Sequence, residues 1–377
     1  MHEAHERALA ALARRGRLRR LEPRDGEDFA SNDYLGLAQS PALAAAVAAA
    51  LDRGVPIGAG GSRLLRGNHP EHEALEAEAA AFFKAQSALY FGGGFIANAA
   101  LFATLPQRGD LVVHDALIHA SAREGLGLTK ADVTSAPHND AQAVCDAIRR
   151  WRALGGKGRP WIAVESLYSM DGDRAPLAEL VAIAERHDAI LLVDEAHATG
   201  VWGDGGRGLG AAFEGRDNIV SLHTCGKALG VMGALVCGPR VLTEFLVNRA
   251  RPFIYATAPS PLMATGVRAA LQIIAREPQR RVRLHQRIEA FAGGLAAIPA
   301  VTPSRSQIQP VIVKTDARAT TLAAALQAEG FDVRAVRPPT VPEGTARLRL
   351  SLTLNVDDTA TARLIETLGR ELEGLAP

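Results

Sequence analysis

From about residue 41 to residue 240, short apolar runs of strand length alternate with amphipathic stretches of helical length. This is the pattern of a mostly parallel sheet covered by helices on both faces. The clearest strands are 87–91, 111–114, 161–165, 189–193 and 219–222, with 235–237 a shorter one and crossovers such as 177–187 between them. Ahead of this region, Leu9, Leu12 and Ala13 have helical spacing and lead into Arg14, Arg15, Arg17, Arg19 and Arg20, which predicts a lead-in helix. Beyond Pro239 comes a Leu- and Arg-rich helical stretch. Segments 309–314, 320–329, 332–336, 347–354 and 357–375 then read as strand, helix, strand, strand and helix, a smaller α+β domain. The expected division is 1–40 as an N-terminal lead-in, 41–240 as a large α/β domain and 241–377 as a linking helix with the α+β domain.

Charge narrows the possible partners. The 377 residues carry 42 basic and 41 acidic side chains, net +1, so no global field would hold nucleic acid or an anionic membrane. No apolar run approaches the roughly 18 residues of a membrane span. Cys145, Cys225 and Cys237 are an odd count without C-x-x-C spacing, so neither a disulfide framework nor a zinc site is expected. The first twenty residues contain no apolar signal core, and a cytoplasmic location is expected.

Ligands of open parallel sheets sit beyond the carboxyl ends of the strands, and there the sequence is chemically loaded. AILLV runs into Asp194-Glu195-Ala196-His197, IVSLH into Thr224-Cys225-Gly226-Lys227, and SALYF into Gly92-Gly93-Gly94-Phe95. Lys227 is an isolated amine among apolar neighbours, where desolvation would supply the neutral form that Schiff-base chemistry needs. Asp194 directly follows a buried run and calls for a cationic or strong donor partner, such as a pyridinium nitrogen. The Gly92–Gly94 turn opens a helical pattern and would cradle a phosphate. His119 could stack on an aromatic ring. Each has an ordinary alternative: a snorkelling lysine, an N-cap or ion pair, a glycine turn, a core histidine. Residues 203–208, GDGGRG, match a dinucleotide fingerprint but are separated from Val193 by nine residues instead of standing directly behind a strand, and are expected to be a glycine loop. Together the lysine, aspartate, histidine and phosphate cradle point to pyridoxal phosphate.

The segments SNDYLGL (31–37), GAGGSRLLRGNHPEHEALE (58–76), GGGFIAN (92–98), SLYSMDGDRAPL (166–177), VDEAHATGVWGDGGRG (193–208), HTCGKALG (223–230) and RPPTVPEGTARLRLSL (337–352) resemble the α-oxoamine synthases over nearly the whole chain. These are fold-type I pyridoxal phosphate enzymes of the class II aminotransferase group, which condense an amino acid with an acyl thioester and release carbon dioxide. The resemblance implies that Lys227 holds the cofactor and acts as base, Asp194 pairs with the ring nitrogen, and His197 bonds the ring hydroxyl. It further implies that His119 stacks on the ring and meets the substrate, that Ser169 positions the cofactor, and that Thr224 with Gly94 and Phe95 holds the phosphate. Arg349 with Asn32 would grip the amino-acid carboxylate, with Arg337 a lesser candidate, and Arg19 and Thr340 would contact the acyl substrate. GGSRLLRGN and RPPTVPEGTARLRL look most like the member that joins L-alanine to a pimeloyl thioester, carried by coenzyme A or an acyl carrier protein. The N-terminal arginines would suit either carrier. A homodimer with sites at the subunit interface is also implied. Alternatives are a member using glycine or serine, an aminotransferase, and a pyridoxal-binding regulator. LTLNV (352–356) departs from the family, which usually has small residues and a histidine after Leu-Thr.

Overall fold

The computed structural model describes residues 1–374. Two compact units can be recognised: a larger one of Leu35–Tyr168 and Arg174–Arg281, and a smaller one of Met1–Tyr34, Ser169–Asp173 and the described residues from Val282 onward.

In the larger unit seven strands form one sheet, in the spatial order Ser87–Phe91, Ala234–Gly238, Ile219–Thr224, Ile190–Asp194, Pro160–Glu165, Leu111–Asp115 and Asp132–Ala136. Ala234–Gly238 is antiparallel to both its neighbours, and the other strands share one direction. The expected α/β class with a mostly parallel sheet is what the chain adopts. Successive side chains of a strand point to opposite faces, which explains why the central runs are apolar throughout. Val112, Trp161, Ala163 and Leu192 enter one core cluster with the helix Gly94–Thr104, whereas Val113, Ile162, Leu191 and Val193 enter the other with Val144, Ile148 and Leu180. Each fully buried Leu, Ile or Val contributes roughly 1.5–3 kcal/mol.

Two differences from the sequence reading have physical reasons. The strand Asp132–Ala136 was not anticipated, because it is a mostly exposed edge strand with the polar composition DVTSA. Residues 241–281 pack with the larger unit instead of the C-terminal one: the helix Pro261–Arg276 buries its apolar face on Pro41–Asp52 and Pro70–Phe82.

In the smaller unit, Ala335–Val336, Ala346–Ser351 and Ile308–Lys314 form an antiparallel sheet in that order, packed by Asp316–Ala328. The single strand expected at 332–336 is two pieces. Phe331–Asp332 pairs in parallel with Glu27–Asp28, and only Ala335–Val336 joins the sheet. The strand expected over 347–354 stops at Ser351, and the helix expected over 357–375 is seen as Asp358–Gly374, its last expected residue lying outside the described residues. The lead-in helix is Glu3–Arg14 and buries no residue of its own. Among the described residues no helix is long and apolar enough to cross a membrane.

Candidate active site

The strands of the larger unit run on past their apolar stretches into the polar residues at their carboxyl ends. Ile190–Asp194 ends on the carboxylate of Asp194, whose Oδ1 accepts from the Ala196 amide at 2.9 Å and whose Oδ2 accepts from Asn98 Nδ2 at 2.7 Å. Both oxygens are therefore fixed. Lys227 lies in the turn after Ile219–Thr224, with Nζ 3.0 Å from His197 Nε2. That turn depends on Gly230 at φ +66°, since a Cβ there would stand 2.4 Å from the backbone nitrogen of Ala38.

His119 caps the helix Ala120–Leu128. Its Nδ1 accepts from the Ser121 amide at 3.2 Å and lies 2.7 Å from Ser121 Oγ, while the residue as a whole keeps contact with solvent. Partial loss of solvation holds its pKa below the ordinary imidazole value; Asp194 works against that shift and Lys227 with it. Carboxylate, imidazole and amine therefore act on one another.

The helix Gly94–Thr104 begins at Gly93 with no side-chain cap, leaving its first amides available. A Cβ on Gly94 would come within 2.6 Å of Thr224 Cγ2, so the glycine keeps the helix start against Thr224. Phe95, the next residue, is exposed. Amine, carboxylate, imidazole and uncapped helix start match in kind the aldehyde, ring nitrogen, ring face and phosphate of pyridoxal phosphate. The donor set fits that cofactor.

The GDGGRG loop has a different task. Fully buried Glu195 accepts from Ser166 Oγ at 2.6 Å, the Gly210 amide at 2.6 Å and the Leu209 amide at 3.0 Å, and burial raises its pKa to about 7. A Cβ on Gly208 would sit 2.6 Å from that carboxyl group. The loop's glycine makes room for a carboxylate of the same chain. Glu195, Asn98 and Ser121 were missed in the sequence. For Asn98 the signal was there, a carboxamide inside the apolar helical run IANAALFAT.

In the smaller unit, Arg347 and Arg349 occupy the strand Ala346–Ser351. Arg347 is buried and pairs with Asp171 Oδ1 at 2.5 Å, also donating to the Met170 carbonyl. Arg349 is 8% exposed and donates to the Ser169 carbonyl (2.5 Å), Ser351 Oγ (2.7 Å), Asn32 Oδ1 (2.9 Å) and Tyr34 OH (3.3 Å). All of these partners are neutral. Tyr34 is wholly buried; desolvation raises its pKa and Arg349 pulls it back.

Arg19 donates to Thr340 Oγ1 at 3.3 Å, so these two exposed side chains meet. Arg17, from the same basic stretch, is engaged by Asp316 and Glu343, and Arg337 donates to the Gly16 carbonyl. Arg337 thus ties down the N-terminal segment. At the LTLNV departure, Asn355 Nδ2 donates to Asp28 Oδ2 at 3.0 Å and Asp33 Oδ2 at 3.2 Å, bridging two acids.

Comparison with known proteins is consistent across sequence and structure. The family model for aminotransferase class I and II matches residues 24–368. The 8-amino-7-oxononanoate synthase of Anaeromyxobacter dehalogenans (strain 2CP-1) is 42% identical over 384 residues, covering 98% of this chain and 95% of the relative. That of Chromobacterium violaceum is 43% identical over 380 residues, covering 97% of each. Among solved structures, the 8-amino-7-oxononanoate synthase from Francisella tularensis superposes with a TM-score of 0.77 at 29% identity, over 92% of this chain and 98% of that one. A structure of SPT with a PLP internal aldimine superposes with a TM-score of 0.85 at 29% identity, over 91% and 86%.

Proposed function

The chain belongs to the aminotransferase class I and II family, and from its 42–43% identity over nearly its whole length to two 8-amino-7-oxononanoate synthases we infer that it works as one, a pyridoxal phosphate-dependent acyltransferase. In that reaction alanine Cα bonds to the carbonyl carbon of a pimeloyl thioester, the thiol leaves, the alanine carboxylate departs as carbon dioxide, and a proton returns to Cα. The product opens assembly of the biotin rings.

Pyridoxal phosphate, when bound, supplies the electron sink that makes the alanine Cα proton removable. Lys227 Nζ carries the cofactor and moves the proton at Cα. Asp194 keeps a proton on the ring nitrogen, because an adjacent carboxylate strengthens a pyridine nitrogen's hold on it. His197 bonds the ring hydroxyl, His119 packs on the ring and meets the substrate, and Ser169 helps position the cofactor. Thr224, with Gly94 and Phe95 at the helix start, holds the phosphate. Arg349, with Asn32, grips the alanine carboxylate, and Arg19 and Thr340 meet the acyl chain. The enzyme works as a homodimer in the cytoplasm, and its exposed Arg14 and Arg15 suit the phosphates of coenzyme A or an acidic carrier protein.

The observation that best supports the amino-acid substrate is the set of partners around Arg349. A buried guanidinium whose partners among the described residues are all neutral is costly, and a substrate carboxylate would complete it with a bidentate pair. The test is the visible spectrum of the purified protein beside Lys227→Ala, followed by mass spectrometry of the products from L-alanine and pimeloyl thioesters of coenzyme A and of carrier protein. A band absent from the variant and a product lighter by carbon dioxide than the simple condensate are expected. Turnover with glycine or serine but not alanine would overturn the substrate assignment.

A further inference from the structure

Asn98 is a buried carboxamide on a helix whose other buried residues, Ala97, Ala100, Leu101 and Phe102, are apolar. Its orientation follows from its neighbour, since the Asp194 carboxylate can only accept and so the NH2 group must face it. Both hydrogens of Nδ2 are used, one on Asp194 Oδ2 at 2.7 Å and one on Ser121 Oγ at 3.0 Å. A hydroxyl that accepts from Asn98 keeps its own hydrogen for another acceptor, and His119 Nδ1 is 2.7 Å away. The backbone N–H of Ser121 points at the same nitrogen from 3.2 Å. An amide N–H can only donate, so Nδ1 is the acceptor and the ring hydrogen sits on Nε2.

We propose that Asn98, acting through Ser121, is a positioning residue that fixes the Asp194 carboxylate for the cofactor ring nitrogen and keeps the His119 imidazole neutral. The assignment rests on the reading that this site holds pyridoxal phosphate. Two charged groups face His119: Asp194 favours its protonation and Lys227 opposes it. Burial is the largest effect and works with Lys227 against a proton that Asp194 favours, and a cation beside the ring would compete with the proton on the ring nitrogen. Two donors aimed at Nδ1 act with burial by leaving that nitrogen no place for a proton. Asp194 then remains the one charge dedicated to the ring nitrogen, with its oxygens fixed by Asn98 and the Ala196 amide. A single side chain thereby couples the two groups that meet the ring.

The test is a 15N titration of the histidine imidazoles in the cofactor-free protein, with the His119 signals assigned by their loss in His119→Gln, beside fluorescence titrations of pyridoxal phosphate. Asn98→Ala and Ser121→Ala are compared with the wild type. In the wild type, Nδ1 shows the unprotonated shift and the midpoint lies below the ordinary value of about 6.5. In both variants the midpoint rises by about half a pH unit or more, because a hydroxyl donor on Nδ1 is lost or freed to turn round. Asn98→Ala also weakens pyridoxal phosphate binding about tenfold, and Ser121→Ala weakens it less, since Asp194 keeps its partner. If Asn98→Ala does not fold, Ser121→Ala carries the titration. A wild-type Nδ1 that carries the proton, or a midpoint unchanged in the folded variants, overturns the proposal. Midpoints that move as expected in a protein that never binds pyridoxal phosphate would leave the hydrogen-bond relay standing and bring down the cofactor reading.

Discussion

Arg347 and Arg349 stand two residues apart on one strand, both buried, yet Arg347 is paired with the Asp171 carboxylate while the partners of Arg349 among the described residues are neutral. The sequence RLRL cannot distinguish them; their partners can. Removing Arg347 strands a carboxylate and should cost about 2–3 kcal/mol of stability, below the roughly 3–5 of a fully buried pair because Asp171 keeps a third of its side chain in water. Removing Arg349 strands no charge. Arg349→Ala should raise the KM for alanine about 10- to 100-fold, since hydrogen bonds to a charge contribute about 1.5–3 kcal/mol. Denaturant melts and alanine saturation curves on both variants check this split, and the reverse pattern would assign the carboxylate to Arg347.

Gly94→Ala places a methyl 2.6 Å from Thr224 Cγ2. Overpacking of this kind costs roughly 1–3 kcal/mol, and here it pries the helix start from the threonine, so pyridoxal phosphate should bind about tenfold more weakly. Adding Thr224→Ser removes the clashing methyl and keeps the hydroxyl. The double variant should regain most of the affinity in a fluorescence titration, and failure to do so would remove the clash as the cause.

The central sheet was legible because buried strands in an α/β fold must be apolar on both faces, and few other structures produce runs such as AILLV. Residues at strand ends were legible for the opposite reason, being polar where burial alone predicts otherwise. What escaped was held by pairing. The ladder of Glu27–Asp28 with Phe331–Asp332 joins two-residue strands about three hundred positions apart, and two residues have no periodicity. Likewise the GDGGRG loop owes its shape to Glu195, whose three donors come from two distant segments.

Asn355, within the LTLNV segment, bridges Asp28 and Asp33. Burial raises the Asp28 pKa, but hydrogen bonds from Ser31 and Asn355 more than offset that and leave it below the ordinary carboxylate value. Asn355→Ala should cost about 0.5–1.5 kcal/mol in denaturant melts, less than a buried hydrogen bond to a charge because both bonds are exposed to water. It should also move the Asp28 midpoint upward in a 13C carboxyl titration while kcat and the KM for alanine stay put. A change in KM instead would give this segment a part in substrate binding.

His223 is fully buried, stacked on Phe83 at 3.7 Å between ring centroids, and bonded to Thr199 and Ser221; desolvation lowers its pKa to about 3. For a base with a depressed folded-state pKa, the stabilisation is complete above the unfolded value of about 6.5 and is lost as pH falls toward 3, because only the unfolded chain takes up the proton. Each pH unit within that window should cost up to about 1.4 kcal/mol. His223→Phe keeps a ring against Phe83 but leaves the Thr199 and Ser221 hydroxyls without it, so it should be less stable at pH 7.5. Below pH 6.5 its stability should fall less steeply than that of the wild type, by one proton's worth of slope. Urea melts of both proteins from pH 7.5 to 4.5 measure that difference, and parallel curves would mean that His223 is protonated inside the fold.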